Sequence, residues 1–133
     1  MTRLLLDTSV YIAAKKNLPA AAETLAHVDE IVVTPIVLGE LRAGFLQGSK
    51  TETNERELRA FLDSPRVTIP PLDEETAGRY AIIRTALKKA GTPISTNDIW
   101  IAASAMQYGL PILTSDADFK KIPQVIVHHF SPA

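Results

Sequence analysis

Short apolar runs alternate along the chain with longer segments in which apolar residues recur every three or four positions. Runs without polar alternation are typical of strands covered on both faces, and the longer periodic segments are typical of helices. The pattern predicts strands at 4–6, 31–33, 66–69, 111–114 and 125–127, helices at 9–16, 20–28, 36–47, 53–62, 74–90 and 96–108, and a helical turn around 118–119. Strands that alternate with helices indicate an α/β fold, a mainly parallel central sheet with helices on both faces.

Several predicted helices have clear end signals. Thr34 precedes a proline that suits a first helical turn, and Asp73 precedes the longest helix. Ser95 stands three residues before Asp98, the spacing of a capping box. Gly91 and Gly109 follow the last apolar positions of their helices, where a left-handed residue is expected.

Length and composition fit one domain, which we expect to span residues 1–133. The chain has 133 residues, 46% of them hydrophobic, and no cysteine, so neither disulfides nor thiolate-bound zinc are available. The first residues are too short an apolar run for a signal peptide, and no segment approaches the roughly 18 apolar residues of a membrane span. We therefore expect a cytoplasmic protein without a membrane partner.

A formal net charge of −1 argues against binding nucleic acid over the whole surface. It leaves room for a local basic groove, although solvated helix faces explain the same residues equally well. The candidates are Lys15, Lys16, Arg42, Arg79, Arg84, Lys88, Lys89, Lys120 and Lys121.

Two aspartates follow predicted buried strands directly. Asp7 ends the first such run, and Asp116 comes just after the run 111–114. If the strand order is 3-2-1-4-5, strands one and four are neighbours and both carboxylates lie at the edge where the strand order switches. Helix capping is the alternative explanation for each residue taken alone.

Two further acids occupy predicted helices. Glu40 shares a helix face with small and apolar residues, where an ionised carboxylate is costly unless it is paired or binds a cation. Arg42 is a poor partner, because residues two apart on a helix do not face each other. Asp98 falls in a first helical turn, where capping is again the alternative.

Together these four acids predict a metal site. Carboxylates in one place repel one another unless cations neutralise them, and oxygen-only ligation favours Mg²⁺ or Mn²⁺. Two such ions roughly 4 Å apart can activate water and stabilise the leaving oxygen of a phosphodiester.

The chain resembles the PIN-domain nucleases, and most closely the VapC-type toxins of toxin–antitoxin pairs. The stretches that carry the resemblance are LLLDTSVYI, TPIVLGELRAG and STNDIWIAASAMQYGLPILTSDADF, together with the closing strand. The resemblance extends over essentially the whole chain. It implies a single PIN-like domain with strand order 3-2-1-4-5.

The resemblance also implies a site and a function. Asp7, Glu40, Asp98 and Asp116 correspond to the family's metal-binding acids, with Ser9, Thr114 and Asp118 as supporting residues, although position 9 is more often Asn in the family. The implied activity is Mg²⁺- or Mn²⁺-dependent endoribonuclease cleavage of transfer RNA or ribosomal RNA. Homodimerisation, growth inhibition and neutralisation by a cognate antitoxin protein are implied as well.

Other protein classes fit less well. A receiver domain would carry paired acids after its first strand, and a phosphatase of the haloacid dehalogenase type would carry Asp where Ser9 stands. A non-catalytic PIN-like RNA-binding or protein-interaction module is the main alternative, since a shared fold does not ensure activity.

Some conspicuous residues have simpler interpretations. Adjacent His128 and His129 point to opposite faces of a strand and suit one metal poorly. Phe119 and Trp100 are expected to pack in the core or, for Trp100, at a dimer contact. The helices around Phe45, Phe61, Tyr80 and Trp100 offer apolar surface for such a dimer.

Overall fold

A computed structural model describes residues 2–131 of the chain. Within that range a parallel five-stranded sheet is covered on both faces by helices. The strands are β1 (Arg3–Leu6), β2 (Glu30–Val32), β3 (Val67–Thr68), β4 (Ile112–Thr114) and β5 (Val127–His129). The helices are α1 (Thr8–Lys15), α2 (Pro19–Ala26), α3 (Pro35–Gln47), α4 (Thr51–Leu62), α5 (Glu74–Ala90) and α6 (Thr96–Tyr108), with a 3-10 helix at Ala117–Lys121.

The strand order is β3-β2-β1-β4-β5, and every pair is parallel. The predicted fold class and strand order are therefore confirmed. β1 lies in the centre, with Leu5 opposite Val32 of β2 on one side and Ile112 of β4 on the other. Chain order reverses between β2-β1 and β1-β4, which is the switch point where α/β proteins build their sites.

The last strand differs from its prediction. It begins at Val127 and takes in His128 and His129, whereas the apolar run had placed it at 125–127. Pairing decides this boundary, because His128 and His129 stand opposite Leu113 and Thr114 of β4. Both histidines are exposed on this edge strand, where polar side chains are tolerated.

The helix ends follow the sequence signals. Thr34 and Ser95 accept hydrogen bonds from backbone N–H groups of α3 and α6, and Asp73 forms a full capping box on α5. Gly91 and Gly109 adopt left-handed conformations with φ of 71° and 65°. Among the described residues, no helix is long and apolar enough to cross a membrane.

Buried side chains from both faces of the sheet form the core. Leu4, Leu5 and Leu6 are all buried, which explains why β1 shows no polar alternation. Phe119, in the 3-10 helix, is fully buried and is the core anchor that the sequence predicted. Its burial anchors in the core the 3-10 helix that Asp116 caps and that contains Asp118.

Candidate active site at the carboxyl edge of the sheet

Pairing of β1 with β4 brings Asp7 and Asp116 to the same edge of the sheet. The Asp7 backbone N–H donates to the Leu113 carbonyl at 3.1 Å, which extends the ladder past the last paired residues. Asp116 follows two residues after the end of β4. The two aspartates are 109 positions apart in the chain and become neighbours only through this parallel pairing.

Asp7 is buried, with only 5% of its surface exposed. It occupies the N-cap position of α1, yet its side chain makes no capping hydrogen bond. Instead its Oδ2 accepts hydrogen bonds from the hydroxyls of Ser9 at 2.8 Å and Thr114 at 2.7 Å. The capping explanation for Asp7 is therefore wrong, and the carboxylate is held at the sheet edge by two hydroxyl donors.

The same two hydroxyls also accept hydrogen bonds from the backbone after β4. The Asp116 N–H donates to Thr114 Oγ1 at 2.9 Å, and the Ser115 N–H donates to Ser9 Oγ at 3.2 Å. Thr114 and Ser9 thus link the Asp7 carboxylate to the loop that carries Asp116. At position 9, a serine hydroxyl can both donate to the Asp7 carboxylate and accept from the Ser115 N–H.

Asp98, Asp116 and Asp118 form a close acidic group, which does not include Asp7 or Glu40: one carboxylate oxygen from each lies within 4.8 Å of those of the other two. Asp116 Oδ1 accepts from the Asp118 N–H at 2.9 Å, so it caps the 3-10 helix while its carboxyl stays in the group. Asp118 is also within 2.9 Å of Lys121 Nζ. The sequence had placed Asp118 only among the supporting residues, but its carboxylate lies in the same group as those of Asp98 and Asp116.

Burial raises the pKa of Asp98 from its ordinary value of 3.8 to about 6. The hydrogen bond with Ser95 opposes this rise, whereas the negative charges of Asp7, Asp116 and Glu40 add to it. Ser95 supplies the cap of α6, accepting from the Asp98 N–H at 3.2 Å. The Asp98 carboxylate is therefore not needed as a cap and faces the other three acids.

Glu40 reaches this cluster from α3. Its Oε1 accepts a hydrogen bond from the Thr8 hydroxyl at 2.8 Å, which joins α3 to the first residue of α1. Arg42 is engaged elsewhere, with its Nε 3.1 Å from Glu55 Oε1. The expectation that Arg42 does not neutralise Glu40 is confirmed, and Glu40 remains in the field of the aspartates.

Thr8 is the site residue that the sequence did not single out. It lies between Asp7 and Ser9, where it resembles one more helix-start residue. Its partner Glu40 is 32 positions away, so its role becomes visible only when α1 and α3 pack together. The sequence signal that could have identified Thr8 was its position next to Asp7, a predicted metal ligand.

The aromatic residues singled out in the sequence pack against other side chains of the same chain. Trp100 stacks on Tyr80 with ring centroids 4.1 Å apart, and Phe61 packs edge-on against Tyr11 at 5.2 Å. Phe45 is also partly buried against the core. These side chains offer less free apolar surface than the sequence suggested, because each is partly covered within its own chain.

Three comparisons with known proteins identify the family and the fold. The family model described as the PIN domain matches residues 4–125. Ribonuclease VapC4 of Mycobacterium tuberculosis is 34% identical over 125 residues, covering 94% of this chain and 95% of the relative. Ribonuclease VapC5 of the same organism is 32% identical over 114 residues, covering 86% and 83%.

A solved structure gives the same result for the fold. VapBC2 from Rickettsia felis, bound to a promoter DNA fragment, superposes with a TM-score of 0.88 at 27% identity and covers 98% of this chain and 100% of its own. Sequence and fold match over nearly full length. The chain therefore belongs to the PIN-domain family and, within it, to the VapC ribonucleases.

Proposed function

We propose that this protein is a Mg²⁺- or Mn²⁺-dependent endoribonuclease whose metal site is formed by Asp7, Glu40, Asp98 and Asp116. The observation that carries the proposal is the close group of Asp98, Asp116 and Asp118 carboxylates, with Asp7 and Glu40 near enough that their charges add to the rise that burial causes in the pKa of Asp98. A fold alone would not require this arrangement. Folding places like charges together at a cost that a bound cation offsets.

The donor set fits a hard divalent cation. Its ligand atoms are carboxylate oxygens, the preferred donors of Mg²⁺ and Mn²⁺. Asp98 and Asp116 lie in the close acidic group together with Asp118. We assign these two as ligands, and Asp118 as a support or an additional ligand.

Asp7 and Glu40 complete the site, each with its orientation fixed by hydroxyl donors. Ser9 and Thr114 hold one oxygen of Asp7, which leaves the other free to bind a cation. Thr8 holds one oxygen of Glu40 in the same way, so that the other can bind a cation or accept a proton from water. When bound, divalent cations in such a site activate water and stabilise the leaving oxygen of a phosphodiester.

The proposed substrate is RNA, and the proposed cleavage sites lie in transfer RNA or ribosomal RNA. The relatives that match over most of their length are named ribonucleases. Sequence-specific recognition of RNA mostly targets single-stranded loops, whose bases are accessible. A non-catalytic binding module is the alternative, but RNA binding alone gives no physical reason to gather negative charge at this edge.

We further propose that the protein is a cytoplasmic toxin, forms a homodimer and is neutralised by a cognate antitoxin. Structures of VapBC from Rickettsia felis and Haemophilus influenzae share the fold at TM-scores of 0.88 and 0.85. A structure from Mycobacterium tuberculosis, with a TM-score of 0.74, is described as a member of the VapBC family of toxin–antitoxin systems. These likenesses support the toxin assignment.

Asp7→Asn and Asp98→Asn should each abolish metal-dependent RNA cleavage. Each change removes a charged cation ligand while keeping the side-chain shape, and activity should fall by about two orders of magnitude or more. The measurement is cleavage of total cellular RNA by purified protein with Mg²⁺ or Mn²⁺, with EDTA as the blank and sequencing of the new ends. The matched control is Asp63→Asn, an exposed residue of α4's C-terminus, which should cut like the wild type. Absence of cleavage by folded wild type, freed of any partner, would favour the binding module.

Without metal, Asp98 should make the protein less stable as pH rises. Its folded-state pKa lies above the unfolded value, so the folded state binds the proton more tightly and loses stability between about pH 4 and pH 6. Asp98→Asn should therefore raise the free energy of unfolding by about 1 kcal/mol more at pH 7.5 than at pH 4, after allowance for solvent screening. Urea unfolding in EDTA measures this difference. Equal effects at both pH values would contradict it.

Thr8→Val should weaken Mn²⁺ binding, because it removes the donor that orients Glu40 and keeps the side-chain shape. A lost hydrogen bond to a charged group corresponds to roughly a tenfold weaker dissociation constant. Calorimetric titration with Mn²⁺ measures the constant directly. Thr8→Ser keeps the hydroxyl and should bind nearly as the wild type does. If the Val and Ser variants bind alike, Thr8 does not act through Glu40.

The homodimer proposal has a direct test. Sedimentation velocity of the purified chain at micromolar concentration should give twice the 14.5 kDa mass of one chain. A single 14.5 kDa species at that concentration would refute dimerisation of the free protein.

A further inference from the structure

An active site made of carboxylates has an electrostatic problem with RNA, which is itself a polyanion. The chain has a formal net charge of −1, so its total charge does not attract the substrate. Metal ions compensate the acids at the reacting phosphate only. The flanking phosphates need basic side chains near the site.

Many basic side chains are already neutralised by acids. Within residues 2–131, nitrogen–oxygen contacts shorter than 4 Å pair Arg3, Lys15, Arg42, Arg59, Arg79 and Lys121 with carboxylates. Arg66 donates instead to the backbone carbonyls of Leu25 and Val28. Four of the sequence's candidate groove residues, Lys15, Arg42, Arg79 and Lys121, are therefore poor phosphate ligands.

Arg84 and Lys88 differ from these residues. In the described part of the chain neither has an acidic partner within 4 Å, and both are exposed on α5. They are four residues apart, so they project from the same helix face. Together they form a small positive patch on one wall of a cavity.

That cavity has a volume of about 330 Å³ and lies between α5, the loop 91–95 and the start of α6. Pro93, Ile94 and Ile99 make its apolar side, and Thr96 adds a hydroxyl. Its volume is at the lower end of the range for small-ligand pockets, roughly 300–1,000 Å³. A positive wall facing an apolar one suits a nucleotide, which is anionic at the phosphate and apolar on the base faces.

The cavity and the acidic cluster share the first turn of α6. Thr96 and Ile99 line the cavity, and Asp98 lies between them in the chain. Their side chains leave the helix in a different direction from that of Asp98, although the wall is within one turn of the Asp98 backbone. A strand that crosses this turn of α6 would connect the metal site with the cavity.

Arg84 is also held in place. Its Nη1 donates to the Tyr80 hydroxyl at 2.9 Å, and its guanidinium carbon lies 5.9 Å from the Tyr80 ring centroid. Tyr80 in turn stacks on Trp100 of α6. A guanidinium fixed in this way loses less conformational entropy when it binds a phosphate.

We propose that this cavity is a subsite for single-stranded RNA, in which Arg84 and Lys88 each bind a backbone phosphate and Pro93, Ile94 and Ile99 pack against the neighbouring base or sugar. The proposal rests on the nuclease function proposed above and adds the residues that bind the strand beside the scissile phosphate. Arg84 and Lys88 are binding residues in this scheme. They contact the substrate away from the reacting atoms.

The test compares Arg84→Ala/Lys88→Ala with wild type in two measurements. Fluorescence anisotropy of a labelled single-stranded RNA of mixed sequence, with Ca²⁺ in place of Mg²⁺ and the RNA checked for intactness, gives the dissociation constant at several salt concentrations. The double variant should bind at least about tenfold more weakly, and its salt slope should fall by about 1.4, that is 0.7 per lost phosphate contact. In cleavage assays KM should rise while kcat stays within about twofold, because the lost contacts bind ground state and transition state alike.

A matched control separates this subsite from general charge effects. Lys50→Ala/Arg56→Ala removes the same two charges from side chains of the α4 region that are exposed and likewise have no acidic partner within 4 Å in the described range. Both pairs change the net charge equally, so any general effect of charge should be the same for both. Because Lys50 and Arg56 do not line the cavity, the control should leave affinity and KM within about twofold of wild type. Lys88→Ala alone, which leaves the Arg84–Tyr80 contact intact, should lower the salt slope by about 0.7.

Two outcomes would overturn the subsite: equal weakening by the test and control pairs, or no weakening by the test pair. Failure of the nuclease proposal has a different signature. In that case wild type cuts no RNA with either metal, while the binding comparison between the two double variants can still be made.

Discussion

Parallel pairing of β1 with β4 is the contact on which the rest of the site depends. It brings together two chain segments more than a hundred residues apart and places Asp7 beside the loop of Asp116. The Thr114 hydroxyl strengthens this junction, because it donates to the Asp7 carboxylate and accepts from the Asp116 backbone. The sheet therefore positions the acids along one edge. The buried residues of its strands stabilise the fold against the repulsion between those acids.

The like charges at that edge repel one another and disfavour the ionised form of each carboxylate. The raised pKa of Asp98 is the clearest sign of this effect, since burial and three neighbouring carboxylates all favour the protonated form. Short hydroxyl side chains at positions 8, 9 and 114 orient the acids without neutralising them. An acid fixed by a neutral donor keeps its charge for a cation, whereas an acid paired with Arg or Lys would not.

The basic residues occupy different surroundings relative to the acids. Within the described residues, Arg42 and Arg79 pair with Glu55 and Glu75, which are not among the four acids, whereas Lys121 lies 2.9 Å from Asp118 beside the cluster. Arg84 and Lys88 remain available beside the first turn of α6. A nuclease needs both conditions. Basic side chains within the cluster would compete with metal ions for the carboxylates, and without basic side chains around the cluster its acids would repel RNA.

The sequence by itself determined the fold class and the helix ends, and family resemblance added the strand order; the four acids remain its prediction for the metal site. The fold class and the helix ends follow from local rules: apolar runs, capping residues and left-handed glycines. Tertiary structure alone decided that Asp7 is held by hydroxyls and does not cap its helix, that Thr8 orients Glu40, that Asp118 joins Asp98 and Asp116, and that β5 extends over His128 and His129. Each of these depends on a partner distant in the chain, and residue spacing holds no information about which distant side chains packing will bring within hydrogen-bond reach.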